Sequence, residues 1–555
     1  MSVDRSGRSA APASLAVCLA VPFAMLLASC SDAYDSFDSG GPLIPEQAAF
    51  DVTYYELDLR VDPSARRIDG SLEMRARLVN ATDRIVLDLE RSFEISSVTD
   101  LEGEPFEFQH DRGRIRIRFD QVRQPGSQIG VRVHYGGQPH VATNPPWSGG
   151  FTWATTPDGG DWIATTCQGE GADIWWPVKD HPSDEPDSMR MHFTVPKPLV
   201  VASNGRLESA VELGDSTQYN WFVSTPINTY NVTLNAADFA VLRTLHVAPD
   251  GHTYPVAFYV LPEYRVRAGS FLAEIHDHLS FYESLIGPYP FRADKYGVVQ
   301  TPHLGMEHQT MIAYGAGFDN GAMTGGVDWG FDALHHHELA HEWWGNLVTN
   351  LDWSDMWLHE GFATYMQALY VERLHGARRY QEYMSSLLAG AGGHFTLAPP
   401  GPVTADGIYD GRLYNKGAWV LHTLRYVIGD AAFFRSLRQM AWPSSMADSL
   451  NTSSCRCRSV TTEDFIAIVE SVSARDLDWF FDLYVRGSDL PRLVEDREGG
   501  MVTATWELAR EASFPMPIEF MRGDETVVLV PDADGVVEIE GNDWTIDPDG
   551  WILKR

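Results

Sequence analysis

At 555 residues the chain is too long for one hydrophobic core, so three or four domains are expected. Hydrophobic residues make up 44% and aromatics 12%, which is ample for burial and excludes a largely disordered protein. With 42 basic against 76 acidic residues the formal charge is −34, which argues against a nucleic-acid partner and is read as solubility.

Arg5 and Arg8 precede LAVCLAVPFAMLLASC, an apolar run that ends in small residues at Cys30. A basic start, a short apolar stretch and a small-residue end describe a secretory signal over residues 1–29. The run is too short for a comfortable membrane span. Leu27-Ala28-Ser29-Cys30 resembles the lipobox of bacterial lipoproteins. That resemblance implies lipidation at Cys30, a membrane association through the lipid anchor alone, and a place in the cell envelope. Each buried methylene of such an anchor contributes about 0.8 kcal/mol. Residues 30–48 are polar and contain Gly, Ser and Pro, so they read as a tether.

From about residue 50 to 239 the pattern alternates, as in YYELDLRV, GSLEMRARLV and QIGVRVHY, with Gly and Pro turns between the runs. This predicts an all-β domain, placed at 49–242. Between about 265 and 487 the period turns helical. RAGSFLAEIHDHLSFYESLIG, FDALHHHELAHEWWGNLV, SDMWLHEGFATYMQALYVERLHG, LYNKGAWVLHTLRYVIG and TTEDFIAIVESV are the predicted helices of a domain at 243–488. Thr461 and Asp464 suit a cap before the last of them. Alternation returns in MVTATWEL, PIEFMR, TVVLVP and VVEIE, a small β unit at 489–555. Of the five cysteines, Cys18 leaves with the signal and Cys30 is the lipid site. Cys167, Cys455 and Cys457 allow at most one bridge, and whether Cys455 or Cys457 pairs with Cys167 stays open.

The second helix-like stretch carries the chemistry. His337-Glu338-Leu339-Ala340-His341 is HExxH, which on a helix sets two imidazoles four residues apart on one face with a glutamate beside them. His335 and His336 fall outside that frame and take supporting or solvent roles. Alone, the pentapeptide is expected by chance in roughly one such chain in twenty. A third ligand decides, because catalytic zinc needs three protein ligands and one open position. Glu360 follows His341 after eighteen residues, on a helical segment whose Trp357, Leu358, Phe362, Tyr365 and Leu369 are apolar. A carboxylate in such a face is costly unless paired or metal-bound. His337, His341 and Glu360 therefore form a candidate set for one Zn2+.

HELAHEWWGNLVT followed by WLHEGFATY resembles the gluzincin aminopeptidases, the family of alanyl (membrane) aminopeptidase, puromycin-sensitive aminopeptidase and leukotriene hydrolase. Leu304-Gly305-Met306-Glu307-His308 resembles the family's GxMEN exopeptidase motif, and Tyr414-Asn415-Lys416-Gly417 its tyrosine segment. Gln168, nine residues before Pro177, falls where the family places a glutamine or glutamate lining the substrate-amine site. The resemblance covers nearly all of the chain after residue 30. It implies an α+β multidomain fold with an N-terminal β-saddle, a thermolysin-like, mostly helical catalytic domain and a small C-terminal β-sandwich. No large C-terminal helical domain is expected, and hence a more open cleft.

The same resemblance implies an aminopeptidase acting on peptides with a free N-terminus. Glu338 would be the general base on a zinc-activated water and Tyr414 the donor to the developing oxyanion. Gly305, Met306, Glu307 and Gln168 would bind substrate, with Glu307 pairing the α-ammonium. His308 and His359 stand where the family has asparagines, which bears on substrate preference and not on the metal. Epoxide hydrolysis and a non-catalytic zinc-binding protein are the rival readings, and Glu338 with Tyr414 argues against the second. No spacing speaks to oligomeric state.

Overall fold

The computed structural model describes residues 37–443, 446 and 457–555. The expected signal, Cys30 and Cys455 lie outside the described residues. The N-terminal half begins with a seven-stranded sheet in which Phe50–Asp62 is central. It pairs in parallel with Ser188–Pro196 and antiparallel with Arg67–Leu78. Leu57, Leu59 and Val61 point into the core while Asp58, Arg60 and Asp62 face out, as the period of two requires. A bulge between Val52 and Tyr54 shifts the register and so returns Tyr55 to the buried face.

A second sheet of four strands, with Val200–Ser203, Leu234–Ala237, Asp161–Thr166 and Gly150–Thr155 in that order, carries Gln168 just beyond the end of Asp161–Thr166. A third sheet has five strands in the order Ala240–Val247, Thr253–Val260, Tyr296–Gln300, Ile312–Tyr314 and Gly305–Met306. The 242/243 division drawn from the sequence falls inside Ala240–Val247, which is paired along its length with Thr253–Val260. Thr253–Val260 and Tyr296–Gln300 are parallel, and α1 (Arg265–Leu285) makes the crossover between them.

The helices follow in chain order: α2 (Ala333–Ala340), α3 (Trp357–His375), α4 (Ala377–Ala391), α5 (Ala405–Ile408), α6 (Arg412–Ile428), α7 (Asp430–Ala441), α8 (Thr462–Ser473) and α9 (Asp478–Tyr484). The capping box of Thr461 and Asp464 forms in both directions at the start of α8. Two three-stranded antiparallel sheets close the chain and share a core of Trp506, Met516, Ile518 and Phe520. The terminal segment docks on α6, where Trp551 stacks on His422 at 4.6 Å, and on α9, where Tyr484 donates to the Leu553 carbonyl at 2.8 Å.

One expectation is corrected here. Residues 37–48 are not a loose tether: Ser39 is buried, and Gln47 donates to the buried carboxylate of Asp88 at 2.5 Å. Polar, glycine-containing composition cannot distinguish a linker from a segment whose polar groups find partners on the folded body. The pairing left open by the sequence resolves in part: Cys167 is a buried free thiol that donates to the Tyr230 carbonyl at 3.4 Å, and Cys457 is free as well.

Candidate active site

Asp332 caps α2, accepting from the His335 amide at 2.9 Å, and its free edge is held by Tyr314. The helix then stops at Ala340, earlier than the predicted run to residue 348. His341 keeps helical angles at its end, so the four-residue spacing survives. Beyond it the amides of Asn346, Leu347 and Val348 reach back five residues, and Gly345 takes φ +145°. This widened turn swings the Trp344 carbonyl back to accept a hydrogen bond from His341 Nδ1 at 2.9 Å. With its proton on Nδ1, His341 presents the Nε2 lone pair to the cavity.

Glu360 sits in the first turn of α3, and Tyr414 in the first turn of α6. The two helices meet at Gly361 and Gly417, where a methyl on either residue would lie within 2.8 Å of the other's Cα. Only glycine permits that approach, and it brings the tyrosine beside the metal ligands. Tyr414 stacks on His337 with ring centroids 5.8 Å apart. Lys416 is wholly buried and donates to the carbonyls of Phe395, at 2.5 Å, and Gly487, at 3.2 Å, so the lysine of the YNKG segment ties two loops together.

His337 Nε2 and His341 Nε2 are 3.2 Å apart, and the Glu360 carboxylate lies 3.3 Å from the first and 3.6 Å from the second. Four-coordinate zinc with bonds of about 2.0–2.2 Å spaces its ligands about 3.3–3.6 Å apart, so this triangle fits the ion. Electrostatics point the same way. Burial works against a charge on His341, yet the carboxylates of Glu360 and Glu307 hold its pKa up to about 10. His341 and His337 in turn keep Glu360 ionised well below its ordinary range, against the cost of burial. The pocket stabilises a cation at this point, and a divalent ion supplies one while relieving two facing lone pairs.

Glu338 is buried on the same turn. Burial raises its carboxyl well above the ordinary range, His341 opposes this, and Glu307 and Glu360 add to it. Its Oε1 occupies the space where a Cβ on Gly305 would fall, at 2.4 Å. Gly305 and Met306 form the edge strand that delivers Glu307 to the cavity. The Glu307 carboxylate accepts from Gln168 Nε2 at 2.5 Å and from Tyr230 OH at 2.9 Å. Burial raises its pKa, His341 lowers it and Glu360 raises it. Asn346 donates to the Glu307 carbonyl at 3.1 Å and accepts from Asn231 at 2.8 Å, which locks the loop.

All the sequence-derived residues converge: His337, His341, Glu360, Glu338, Tyr414, Gln168, Gly305, Met306 and Glu307 line one cavity of about 530 Å³. Its lining also includes the carboxylates of Glu170 and Asp406 and, among the described residues, no lysine or arginine. Burial and the charge of Glu360 hold the Tyr414 phenol well above its ordinary range, so it keeps its proton and can donate. His308 and His359 lie outside the cavity lining. His359 is buried and accepts the Asn350 amide at 2.9 Å. His335 is also interior, between His278 Nδ1 and Tyr296 OH at 2.8 Å each, and His336 meets Tyr282 OH at 3.0 Å.

Sequence reasoning missed Tyr409 and Tyr230. Tyr409 OH lies 2.6 Å from Tyr414 OH, and donates toward Gln168 Oε1 at 3.3 Å and Glu360 Oε1 at 3.4 Å. Its five-residue spacing from Tyr414 was the only available signal, and spacing alone does not separate it from a core aromatic.

Two family models match the chain. The peptidase family M1 domain covers residues 275–484, and the peptidase M1 N-terminal domain covers residues 52–230. Endoplasmic reticulum aminopeptidase 1 of Mus musculus is 26% identical over 275 residues, 46% of this chain and 29% of its own length. Aminopeptidase 2 of Candida albicans is 24% identical over 467 residues, 79% of this chain and 46% of its own. The chain thus spans less than half the length of these curated relatives. A crystal structure of an M1 zinc metallopeptidase variant from Deinococcus radiodurans, bound to a Tyr-Ser-Ala substrate, superposes with a TM-score of 0.66 at 24% identity. It covers 82% of this chain and 99% of its own, and at that identity the likeness carries the fold.

Proposed function

The chain belongs to peptidase family M1, and on that premise we propose that it is a zinc-dependent aminopeptidase releasing the first residue of peptides with a free N-terminus. The observation that supports an exopeptidase is the placement of buried Glu307, held by Gln168 and Tyr230, in the same cavity as the triad of His337, His341 and Glu360. A fixed carboxylate there pairs with an α-ammonium and leaves no such partner for an acylated amine.

When bound, zinc supplies Lewis acidity to the scissile carbonyl and to the attacking water. Glu338, within the same cavity, takes the proton of that water on its carboxylate and passes it to the leaving amine. Tyr414 donates its hydroxyl hydrogen to the oxygen that gains charge as the carbonyl is attacked. Tyr409 keeps that hydroxyl aimed inward through the 2.6 Å contact. Gln168 and Tyr230 hold Glu307 so that the substrate amine, and with it the first peptide bond, is set against the base.

Aminoacyl-anilides are expected to be cleaved, their N-acetyl counterparts to survive, and a chelator to stop turnover. Full activity in Glu338→Ala would remove the assigned base. Cleavage of N-acetylated substrates at a comparable rate would turn the reading toward an endopeptidase. We also propose envelope anchoring through a lipid on Cys30; incorporation of labelled fatty acid that persists in Cys30→Ala would refute it.

A further inference from the structure

Among the segments that residues 37–41 touch, three run directly into a residue of the cavity. The Ser39 amide donates to the Gly169 carbonyl at 2.9 Å, one residue past Gln168. The Ser39 carbonyl accepts the Ala405 amide at 2.9 Å, and Asp38 Oδ1 accepts the Asp406 amide at 2.9 Å. These open α5, which ends at Ile408 just before Tyr409. The third segment is Trp353, whose Nε1 donates to Ser39 Oγ at 3.3 Å in the turn that leads into α3 and Glu360. Ser39 Oγ in turn donates to Asp180 Oδ2 at 2.7 Å. Gly40 bridges Thr404, and Gly41 donates to the Val403 carbonyl at 3.2 Å.

A single residue thus uses its N–H on one wall and its C=O on the other. Inside the cavity Tyr409 OH reaches from its own wall to Gln168 Oε1 on the other, at 3.3 Å. At 3.3 Å that contact is near the long limit of a hydrogen bond, whereas Ser39 bonds each wall at 2.9 Å. We propose that residues 37–41 are a positioning strap that sets the spacing between the Gln168–Glu307 wall and the Tyr409–Tyr414 wall. The strap touches no reacting atom. Its kinetic consequence rests on the aminopeptidase reading, and its geometry does not.

Gly40 gives the means to release it. Its φ is +87°, and a Cβ would lie 2.3 Å from Trp353 Cδ1. Gly40→Val in the full chain cannot seat the strap. Gly126 has the same φ of +87° with nothing within 4 Å, so Gly126→Val controls for backbone strain alone. Ser39→Ala removes the Asp180 and Trp353 contacts without added bulk, and serves where Gly40→Val fails to fold.

With zinc content unchanged, Gly40→Val is expected to lower kcat/KM on alanyl-anilide by roughly ten- to a hundredfold. The loss should be shared between a higher KM, from the amine wall, and a lower kcat, from the tyrosine wall. Ser39→Ala should move both in the same direction by less. Hydrogen–deuterium exchange should quicken at Gly171 and Leu413 in both strap variants, although the strap bonds to neither amide. Kinetics equal to those of Gly126→Val, or exchange quickened only at the amides the strap itself caps, overturns the proposal. If the parent cleaves no anilide, the aminopeptidase reading has failed and the exchange result alone decides the strap.

Discussion

Replacing Gly305 by alanine tests the assigned base without touching it. A methyl at that position would lie 2.4 Å from Glu338 Oε1 and 2.6 Å from Leu334 Cδ1, where ordinary contact begins near 3.4 Å. The residue is in a strand, and its φ is not among the positive ones, so alanine is tolerated by the backbone. Relief must come from the Leu334 methyl and from the carboxylate, which has to move by about 1 Å to reach ordinary contact. A displacement of that size at a reacting group costs about a hundredfold in rate, or about 2.7 kcal/mol of barrier. Steady-state kcat on an aminoacyl-anilide, alongside zinc content and melting temperature, is the assay. The expected result is a hundredfold lower kcat with zinc and stability close to the parent. A kcat within twofold of the parent at full zinc occupancy would show that the position of Glu338 does not govern the rate, and the assignment of the base would fall with it.

Tyr414→Phe should lower kcat by about 3–4 kcal/mol of barrier with little change in KM, and a parent-like kcat would remove it as oxyanion donor. Tyr409→Phe, which leaves the Tyr414 hydroxyl and Gln168 without their shared partner, should cost roughly tenfold; an effect as large as that of Tyr414→Phe would mean that Tyr409 is itself the donor. Glu307→Gln should raise KM by the about 1.5–3 kcal/mol of a hydrogen bond to a charged group and narrow the preference for free over acetylated amines. Unchanged discrimination would place the amine elsewhere. His308 is fully buried and its pKa is pushed from 6.5 to about 3 by burial, with nearby His303 adding to the effect. The unfolded chain therefore binds this proton first, so stability is whole above pH 6.5 and falls as pH drops toward 3, at about 1.4 kcal/mol per unit. His308→Asn should lose that dependence and gain about 1.4 kcal/mol relative to the parent on going from pH 8 to pH 5.5. Urea unfolding at the two pH values that gives a constant difference would refute it.

The metal ligands were legible because their signal is local. A four-residue spacing puts His337 and His341 on one helical face whatever the rest of the fold does, and α2 ends one residue short of disturbing it. Glu360 stood out because a carboxylate has little reason to occupy a face made of Trp357, Phe362, Tyr365 and Leu369. The widened turn after His341 was not legible, since what stops the helix is a carbonyl turned back onto an imidazole. Nor was the packing of residues 37–48, whose composition equally suits a linker.

The sequence by itself determined the candidate ligand set of His337, His341 and Glu360, because helix period is set by neighbouring residues, and the family resemblance added Glu338, Glu307 and Tyr414 as candidates. Tertiary structure alone decided which side chains complete the site. Gln168 reaches Glu307 across 139 positions and Tyr230 across 77, while Ser39 bonds to Gly169 and Ala405 together. Such contacts exist only once the sheets and helices have packed. Only glycine at 361 and 417 lets α3 and α6 close to the distance at which Tyr414 stands over His337.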